Sequence, residues 1–94
     1  MFKELDPLLH SQLRLAVMSI LISVESADFV FLKQQTDSTA GNLSVQLDKL
    51  SAADYIVVKK SFVGKKTRTT CHITKTGREA FERYVENLKT YIQH

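Results

Sequence analysis

The side chains best suited to acid–base, nucleophilic or metal chemistry are three histidines and one cysteine, and they lie scattered along the chain. Only Cys71 and His72 are adjacent, and neighbours on a strand point to opposite faces, so they cannot hold one metal ion together. No Ser-His-Asp arrangement, close carboxylate pair or phosphate-binding glycine loop can be recognised. The sequence therefore predicts neither an enzyme nor a metal or cofactor site.

The single cysteine, Cys71, leaves no partner for an intrachain disulfide, so a cytoplasmic location is expected. A small core residue is the favoured interpretation of Cys71, and redox sensing is the alternative. The longest apolar run, residues 16–24, is too short to cross a bilayer and contains serines. The N-terminal residues show no secretory signal pattern.

Positive charge is concentrated in one segment. Residues 55–78 contain seven lysines and arginines and no acid, whereas the rest of the chain contains six bases and all ten acids. Such asymmetry offers a positive field to an anionic partner. The alternative is that the basic residues only keep a surface soluble.

A long first helix is expected to begin the fold. Residues 5–25 place apolar side chains at spacings of three and four, which predicts an apolar stripe. Asp6 is the expected cap, and Pro7 suits the first helical position, where its missing N–H costs nothing.

Two more helices are expected next. Residues 27–36 predict a short helix with Asp28 as its cap. A third helix follows, capped by Ser38 or Thr39. Its predicted buried stripe consists of Ala40, Leu43, Leu47 and Leu50.

A hairpin and a final helix complete the pattern. The β-branched and aromatic residues 55–62 predict a strand, residues 63–66 a turn, and residues 68–74 the returning strand. Alternation puts Thr69, Cys71 and Ile73 on one face and Arg68, Thr70 and His72 on the other. The last helix is expected to follow a cap at Thr74 or Thr76.

This order of elements predicts an α+β, mainly α fold in a single domain of residues 1–94. Two helices joined by a tight turn, at about residues 28–53, form a helix-turn-helix pattern. A basic hairpin, at about residues 55–74, follows at once, and a helix of about residues 75–92 ends the chain. A helix-turn-helix joined to a two-stranded hairpin is the winged helix, whose third helix enters the major groove of DNA.

The stretch "TAGNLSVQLDKLSAADYIVVKKSFVGKKTRTTCHITKTGREAF" resembles the winged-helix domains related to the MarR and ArsR repressors, in particular small stand-alone transcriptional regulators. The resemblance extends from about Leu9 to Leu88. The recognition-helix motif matches at Thr39, Gly41, Asn42, Leu43 and Ser44; the wing motif matches at Gly64, Arg68 and Thr69, and the start of the last helix at Thr74, Gly77 and Arg78.

The chain departs from that pattern at two positions. Asp54 stands where many relatives have a glycine that ends the recognition helix in the left-handed conformation. Aspartate tolerates this conformation better than most residues, so the turn is expected to survive. Ile73 replaces a common leucine. The metal-binding cysteine motif of the arsenical-type repressors is absent, so the resemblance implies no metal sensing.

The candidate DNA-binding residues on the recognition helix are Ser38, Thr39, Gly41, Asn42, Val45, Gln46 and Lys49. Asn42 is the main candidate for a base contact, because its amide can pair with an adenine edge, and Gln46 is a second. Val45 could contact a thymine methyl group. The hydroxyls at the helix start suit phosphate, Gly41 would permit close backbone approach, and Lys49 would contact the backbone. Each has a structural alternative as a helix cap or a solvated residue.

The candidate DNA-binding residues in the wing are Lys60, Gly64, Lys65, Lys66, Thr67 and Arg68. Lys59 and Lys60 occupy successive strand positions, so only one of them can face the DNA. The lysines at the tip and Arg68 are expected to contact phosphate or enter the minor groove.

A homodimer is expected because the apolar stripe of the last helix is too rich for a capping helix alone. The predicted dimerisation residues are Leu9, Leu13, Phe81, Tyr84, Val85, Leu88, Tyr91 and Ile92. The alternative is that the last helix packs only on the first helix of its own chain.

The sequence thus predicts a homodimeric transcriptional regulator that binds double-stranded DNA, with an unknown small-molecule effector as a possible further partner. The alternatives are a winged helix that binds an acidic protein through its basic hairpin, and a small-molecule sensor whose DNA affinity is secondary.

Overall fold

The computed structural model describes residues 1–93 and contains four helices and three strands over that range. In chain order they are α1 (Gln12–Val24), β1 (Ser26–Asp28), α2 (Phe29–Thr36), α3 (Ala40–Ala52), β2 (Ile56–Val63), β3 (Lys66–Ile73) and α4 (Lys75–Ile92). This order confirms the predicted winged-helix class and adds one strand to it.

The first helix begins at Gln12, several residues later than predicted. Asp6 does act as a cap, but it closes one isolated turn: its Oδ1 accepts a hydrogen bond from Leu8 N at 2.9 Å. Ser11 then adopts an extended conformation, with φ −150°. The break directs Leu9 into the core, where it is fully buried. The prediction was wrong because local capping signals cannot show that burying Leu9 bends the chain.

Three predicted caps are confirmed. The side chains of Asp28, Thr39 and Thr74 accept hydrogen bonds from backbone N–H groups in the first turns of α2, α3 and α4. Each satisfies a donor that has no partner inside its own helix. These helix starts were readable from sequence because a cap acts over three residues.

The sheet has three antiparallel strands in the order β1-β3-β2. The short strand β1 was missing from the prediction, since three residues are too few to show alternation. It pairs Ser26 with His72 and Asp28 with Thr70. The hairpin pairs Val58 with Cys71 and Lys60 with Thr69. β1 thereby ties the end of α1 and the start of α2 to the base of the hairpin.

The turn after α3 depends on a left-handed residue. Asp54 has φ 62°, so the expectation that aspartate would support this conformation is confirmed. The chain then passes close to α4: a Cβ on Gly77 would lie 2.1 Å from the Tyr55 carbonyl oxygen. Thr74 N also donates to this oxygen at 3.1 Å. Glycine is required at residue 77 because the backbone of the hairpin base occupies the space of a side chain.

The core lies between α1, the helix-turn-helix and the sheet. Its fully buried members include Leu9, Val17, Met18, Leu21, Leu32, Leu43, Leu50, Ile56 and Cys71. Leu43, Leu47 and Leu50 confirm the predicted stripe of α3, but Ala40 is exposed. Ala40 is the first residue of α3 and lines the open groove between this helix and the hairpin. That part of the stripe was therefore wrong.

The N-terminal residues run along α4. Lys3 N donates to Thr90 Oγ1 at 3.1 Å, and Tyr91 Oη donates to the Lys3 carbonyl at 2.7 Å. The rings of Phe2 and Tyr91 lie 5.0 Å apart. A segment that the sequence analysis had left unassigned thus contacts Thr90 and Tyr91 in the last turns of α4, and Ile92 stays 70% exposed.

Candidate nucleic-acid interface

The N-terminal end of α3 presents a polar face to solvent. Thr39 Oγ1 accepts from Asn42 N at 3.1 Å, which fixes the first turn. Asn42, Val45 and Lys49 are all exposed, as is Gly41, whose absent Cβ faces open space. Ser38 is half-buried, and its Oγ lies 2.9 Å from Thr36 Oγ1. The buried leucines of α3 hold this face outward.

The two candidate base-contacting side chains are bonded to each other. Gln46 Nε2 donates to Asn42 Oδ1 at 3.0 Å, one helical turn apart. On its other side, Gln46 Oε1 accepts from the Arg14 guanidinium. Arg14 also donates through Nε to the Leu8 carbonyl at 2.6 Å. The sequence analysis did not single out Arg14, because its contact with Gln46 spans 32 residues and leaves no local signal.

The wing presents its cations on two faces. Lys60 lies on the same face of the sheet as Val58 and Ile56, towards α3, and Lys59 lies on the other face, because side chains alternate along β2. At the tip, Gly64 has φ 65°, which glycine adopts without strain in a two-residue hairpin turn. Within residues 1–93, neither Lys65 nor Lys66 forms an ion pair. Thr67 is exposed beside them.

Arg68 lies closer to the body of the protein than the two tip lysines. Its guanidinium is 3.1 Å from Asp28 Oδ2, and Asp28 Oδ1 accepts from Phe31 N at 2.8 Å. The hydrogen bond from Phe31, aided by Arg68, lowers the pKa of Asp28. Arg68 therefore joins the wing to the start of α2, and its side chain remains 55% exposed.

Two apolar side chains accompany the lysines at the wing tip. Phe62 is 79% exposed and Val63 is 59% exposed. The sequence analysis placed Phe62 in the first strand and Val63 in the turn, and it assigned neither a role in binding. In the structure both belong to β2. Their exposure is a signal that only the structure provides.

A groove of about 480 Å³ separates α3 from the hairpin. Its walls include Ser44 and Asp48 from α3, and Lys60 and Thr69 from the sheet. Asp48 and Lys60 thus bring opposite charges to the walls of this groove, whereas Lys65 and Lys66 lie at the hairpin tip outside its lining.

Cys71 is a core residue in this structure. Its side chain is fully buried, and burial raises the pKa of the thiol to about 11. A protonated thiol out of contact with solvent is a poor nucleophile, which weighs against the redox alternative.

The predicted dimerisation residues fall into three groups by exposure. Leu9 and Tyr84 lie in the core of the chain itself, and Tyr84 Oη is 3.1 Å from His10 Nδ1. Leu13, Phe81 and Leu88 are half-buried against that core. Val85, Tyr91 and Ile92 are exposed, Ile92 by 70%. Only the last two groups offer surface to a second chain.

The fold and this surface define a winged-helix protein, and comparison with known proteins agrees. A family model described as winged helix DNA-binding domain matches residues 13–92. The chain therefore belongs to the winged helix DNA-binding domain family. Across residues 1–93, every helix falls short of the length and apolar character that a bilayer span requires.

Individual relatives cover most of the chain. An uncharacterised protein of Methanocaldococcus jannaschii is 32% identical over 79 residues, which span 84% of this chain and 86% of the relative. A transcriptional regulator homologue from Pyrococcus horikoshii has a solved structure that is 28% identical, with a TM-score of 0.84, over 90% of this chain and 84% of that one.

A third comparison shows the fold alone. The solved structure of a MarR-family transcriptional regulator from Silicibacter pomeroyi is 19% identical and has a TM-score of 0.69, over 92% of this chain and 60% of its own. The two solved structures are thus described as a transcriptional regulator homologue and a MarR-family transcriptional regulator, and both share the winged-helix fold of this chain.

Proposed function

We propose that the protein is a homodimeric transcriptional regulator that binds specific sites in double-stranded DNA. In this proposal α3 enters the major groove, and the β2–β3 hairpin lies along the backbone or in the minor groove. The observation that carries it is the pairing of an exposed polar helix start with a projecting hairpin whose tip lysines form no ion pair within residues 1–93.

Phosphate contact is assigned to Lys65 and Lys66, with Lys60 and Lys49 nearer the groove. No acid lies in residues 55–78, so the approaching phosphates would meet no repulsion from the hairpin. If each subunit neutralises three or four phosphates, the logarithm of the binding constant should fall with the logarithm of salt with a slope of about −5 to −7.

The exposed apolar side chains at the wing tip, Phe62 and Val63, support contact with the minor groove. Proteins that bind there insert apolar side chains beside their cations. Phe62 and Val63, which precede Gly64 and the two tip lysines, have the exposure that such a contact needs.

The homodimer would form through the exposed end of α4. Tyr91 and Ile92, with Phe2 beside them, form an apolar surface at one end of the chain. A two-fold dimer would place two recognition helices about 34 Å apart, which matches a pseudo-palindromic site. A small-molecule effector, if the protein has one, would act where the helices of the two subunits meet.

The test is binding to duplex DNA across a salt series. Fluorescence anisotropy should show tight binding at low salt and the steep slope given above. The double variant Lys65→Ala/Lys66→Ala should bind all sequences more weakly, with a shallower slope. Lys75→Ala/Arg83→Ala removes the same charge from exposed positions of α4 that are assigned to neither DNA contact nor dimerisation, and should leave binding unchanged.

An acidic protein partner is the alternative, because an apolar tip among lysines also suits an acidic protein surface. No duplex binding at low salt, or equal binding by the wing and control variants, would exclude the DNA proposal. Sedimentation at micromolar concentration tests the dimer separately, and a monomer there would exclude it.

A further inference from the structure

We propose that Arg14, which lies on α1 outside the helix-turn-helix, determines which atom of Asn42 faces the DNA bases. The inference rests on the proposed function, in which α3 enters the major groove. It concerns the direction of the hydrogen bonds from Arg14 through Gln46 to Asn42.

The direction of this chain of bonds follows from the chemistry of its first member. A guanidinium has five donors and no acceptor, whereas an amide has an oxygen that accepts and a nitrogen that donates. The Gln46 atom that faces Arg14 must therefore be the oxygen. An isolated glutamine amide could point either its oxygen or its nitrogen in a given direction, and Arg14 fixes which of the two Gln46 points away from Asn42.

The orientation passes on to Asn42. With its oxygen held by Arg14, Gln46 presents its nitrogen to Asn42, and the atom that accepts this bond must be Oδ1. The Asn42 nitrogen, Nδ2, is left as the donor, and it forms no hydrogen bond within residues 1–93. Asn42 is exposed on the third residue of α3, where recognition helices contact bases.

Arg14 is itself held in place. Its Nε bonds the Leu8 carbonyl in the turn before α1, and its side chain is half-buried. The orientation of Asn42 is therefore tied to the core through α1, and does not depend on the flexible rotamers of the helix surface alone.

This arrangement predicts the base. An asparagine that pairs with adenine uses both its oxygen and its nitrogen, whereas guanine offers two acceptors, N7 and O6, in the major groove. Gln46 Nε2 already takes one of the two acceptor positions of Oδ1, whereas both donors of Nδ2 remain for the DNA, so guanine is the preferred partner of Asn42. Adenine, the pairing that the sequence alone suggested, is disfavoured.

The experiment is selection of bound duplexes from a randomised library by the full-length protein, with deep sequencing of the bound fraction. The position read by Asn42 is the one whose preference disappears in Asn42→Ala. For the wild type we expect guanine there, favoured by about fivefold or more over adenine. Arg14→Met should reduce that preference to near unity and leave the other positions unchanged.

Two further variants separate positioning from other roles. Gln46→Met removes the hydrogen bonds that link Arg14 to Asn42 but leaves Arg14 bonded to Leu8. It should therefore weaken the base preference at the position read by Asn42, even if Arg14→Met unfolds the turn before α1. Lys75→Met removes an exposed charge from the start of α4, at a residue assigned to neither DNA contact nor dimerisation, and should leave the base profile intact. The salt slope of Arg14→Met should equal that of the wild type, because a positioning residue contacts no phosphate.

Several results would overturn the proposal. These are adenine at the Asn42 position, an unchanged profile in Arg14→Met and Gln46→Met, or a salt slope of Arg14→Met that is shallower by about one. If the wild type enriches no sequence, the proposed DNA binding itself fails. If the wild type enriches a site and the Arg14 and Gln46 variants show the same base preferences as the wild type, only this inference fails.

Discussion

The recognition helix and the wing are both expected to contact DNA, yet they are supported in different ways. Leu43, Leu47 and Leu50 attach α3 to the core along its whole length. The hairpin is held at its base, where Ile56 and Cys71 are buried and β3 pairs with β1, and by the Arg68–Asp28 ion pair. Side chains of residues 61–68 are exposed.

The polar side chains of the two regions also differ in how firmly they are held. Asn42 and Gln46 are bonded into a fixed orientation, whereas the tip lysines are single charges on flexible stems. A fixed amide can discriminate between bases, and a mobile charge can only follow the phosphate backbone. We therefore expect α3 to provide preference for particular bases and the wing tip to provide affinity that does not depend on sequence.

The largest expected difference is in stability. Leu47→Ala removes a side chain that is 3% exposed and should lower the free energy of unfolding by about 2–5 kcal/mol. Phe62→Ala removes a larger side chain that is mostly in solvent and should change it by less than about 0.5 kcal/mol. Urea unfolding followed by circular dichroism measures both. Equal losses would mean that the wing tip packs on the body of the protein.

Two glycines give a matched pair. Gly77→Ala places a methyl group against the Tyr55 carbonyl at the hairpin base and should destabilise the protein by about 1–3 kcal/mol. Gly41→Ala meets open space inside a helix and should stabilise it by up to about 1 kcal/mol.

The same pair tests the recognition helix. If Gly41 allows the backbone to approach DNA closely, Gly41→Ala should weaken DNA binding while it raises stability. Binding and unfolding are measured on one preparation. Unchanged affinity would show that residue 41 stays clear of the DNA.

Specificity and affinity should separate between the two regions. Asn42→Ala should reduce discrimination at one base pair by about 1–3 kcal/mol and alter little else. Lys66→Ala should weaken every duplex alike and make the salt slope shallower by about one. Competition binding with matched and mismatched duplexes distinguishes them. A lysine variant that changes base preference would contradict the comparison.

The smallest effect concerns the junction between the wing and α2. The lowered pKa of Asp28 means that its charged form stabilises the fold above its ordinary pKa of about 4, and that this stabilisation is lost as the pH falls through the lower native value. Asp28→Asn retains a capping oxygen but not the charge. It should cost about 0.5–1 kcal/mol at pH 7, since Arg68 is half-exposed.

The difference between wild type and Asp28→Asn should then shrink as the pH falls below about 4. Urea unfolding at pH 7 and at low pH measures it. A difference independent of pH would show that the Asp28 charge contributes nothing to holding the wing.

The parts of the fold that were predictable rest on short-range interactions. Caps at Asp28, Thr39 and Thr74, the hairpin turn at Gly64 and the left-handed Asp54 each depend on a few neighbouring residues, so the sequence shows them directly. The leucines of α3 repeat with the helical period, which also showed the exposed face that carries the candidate site.

What only the tertiary structure decided are the contacts between distant residues. The strand β1, the late start of α1 and the close approach of Gly77 to Tyr55 depend on which elements pack together. The same holds for Arg14, because its bond to Gln46 joins residues 32 positions apart and produces no periodic or local pattern in the sequence. The sequence by itself determined that a polar helix and a basic hairpin stand side by side. How the amide of Asn42 is oriented was decided by a side chain that reaches it only because α1 and α3 pack together.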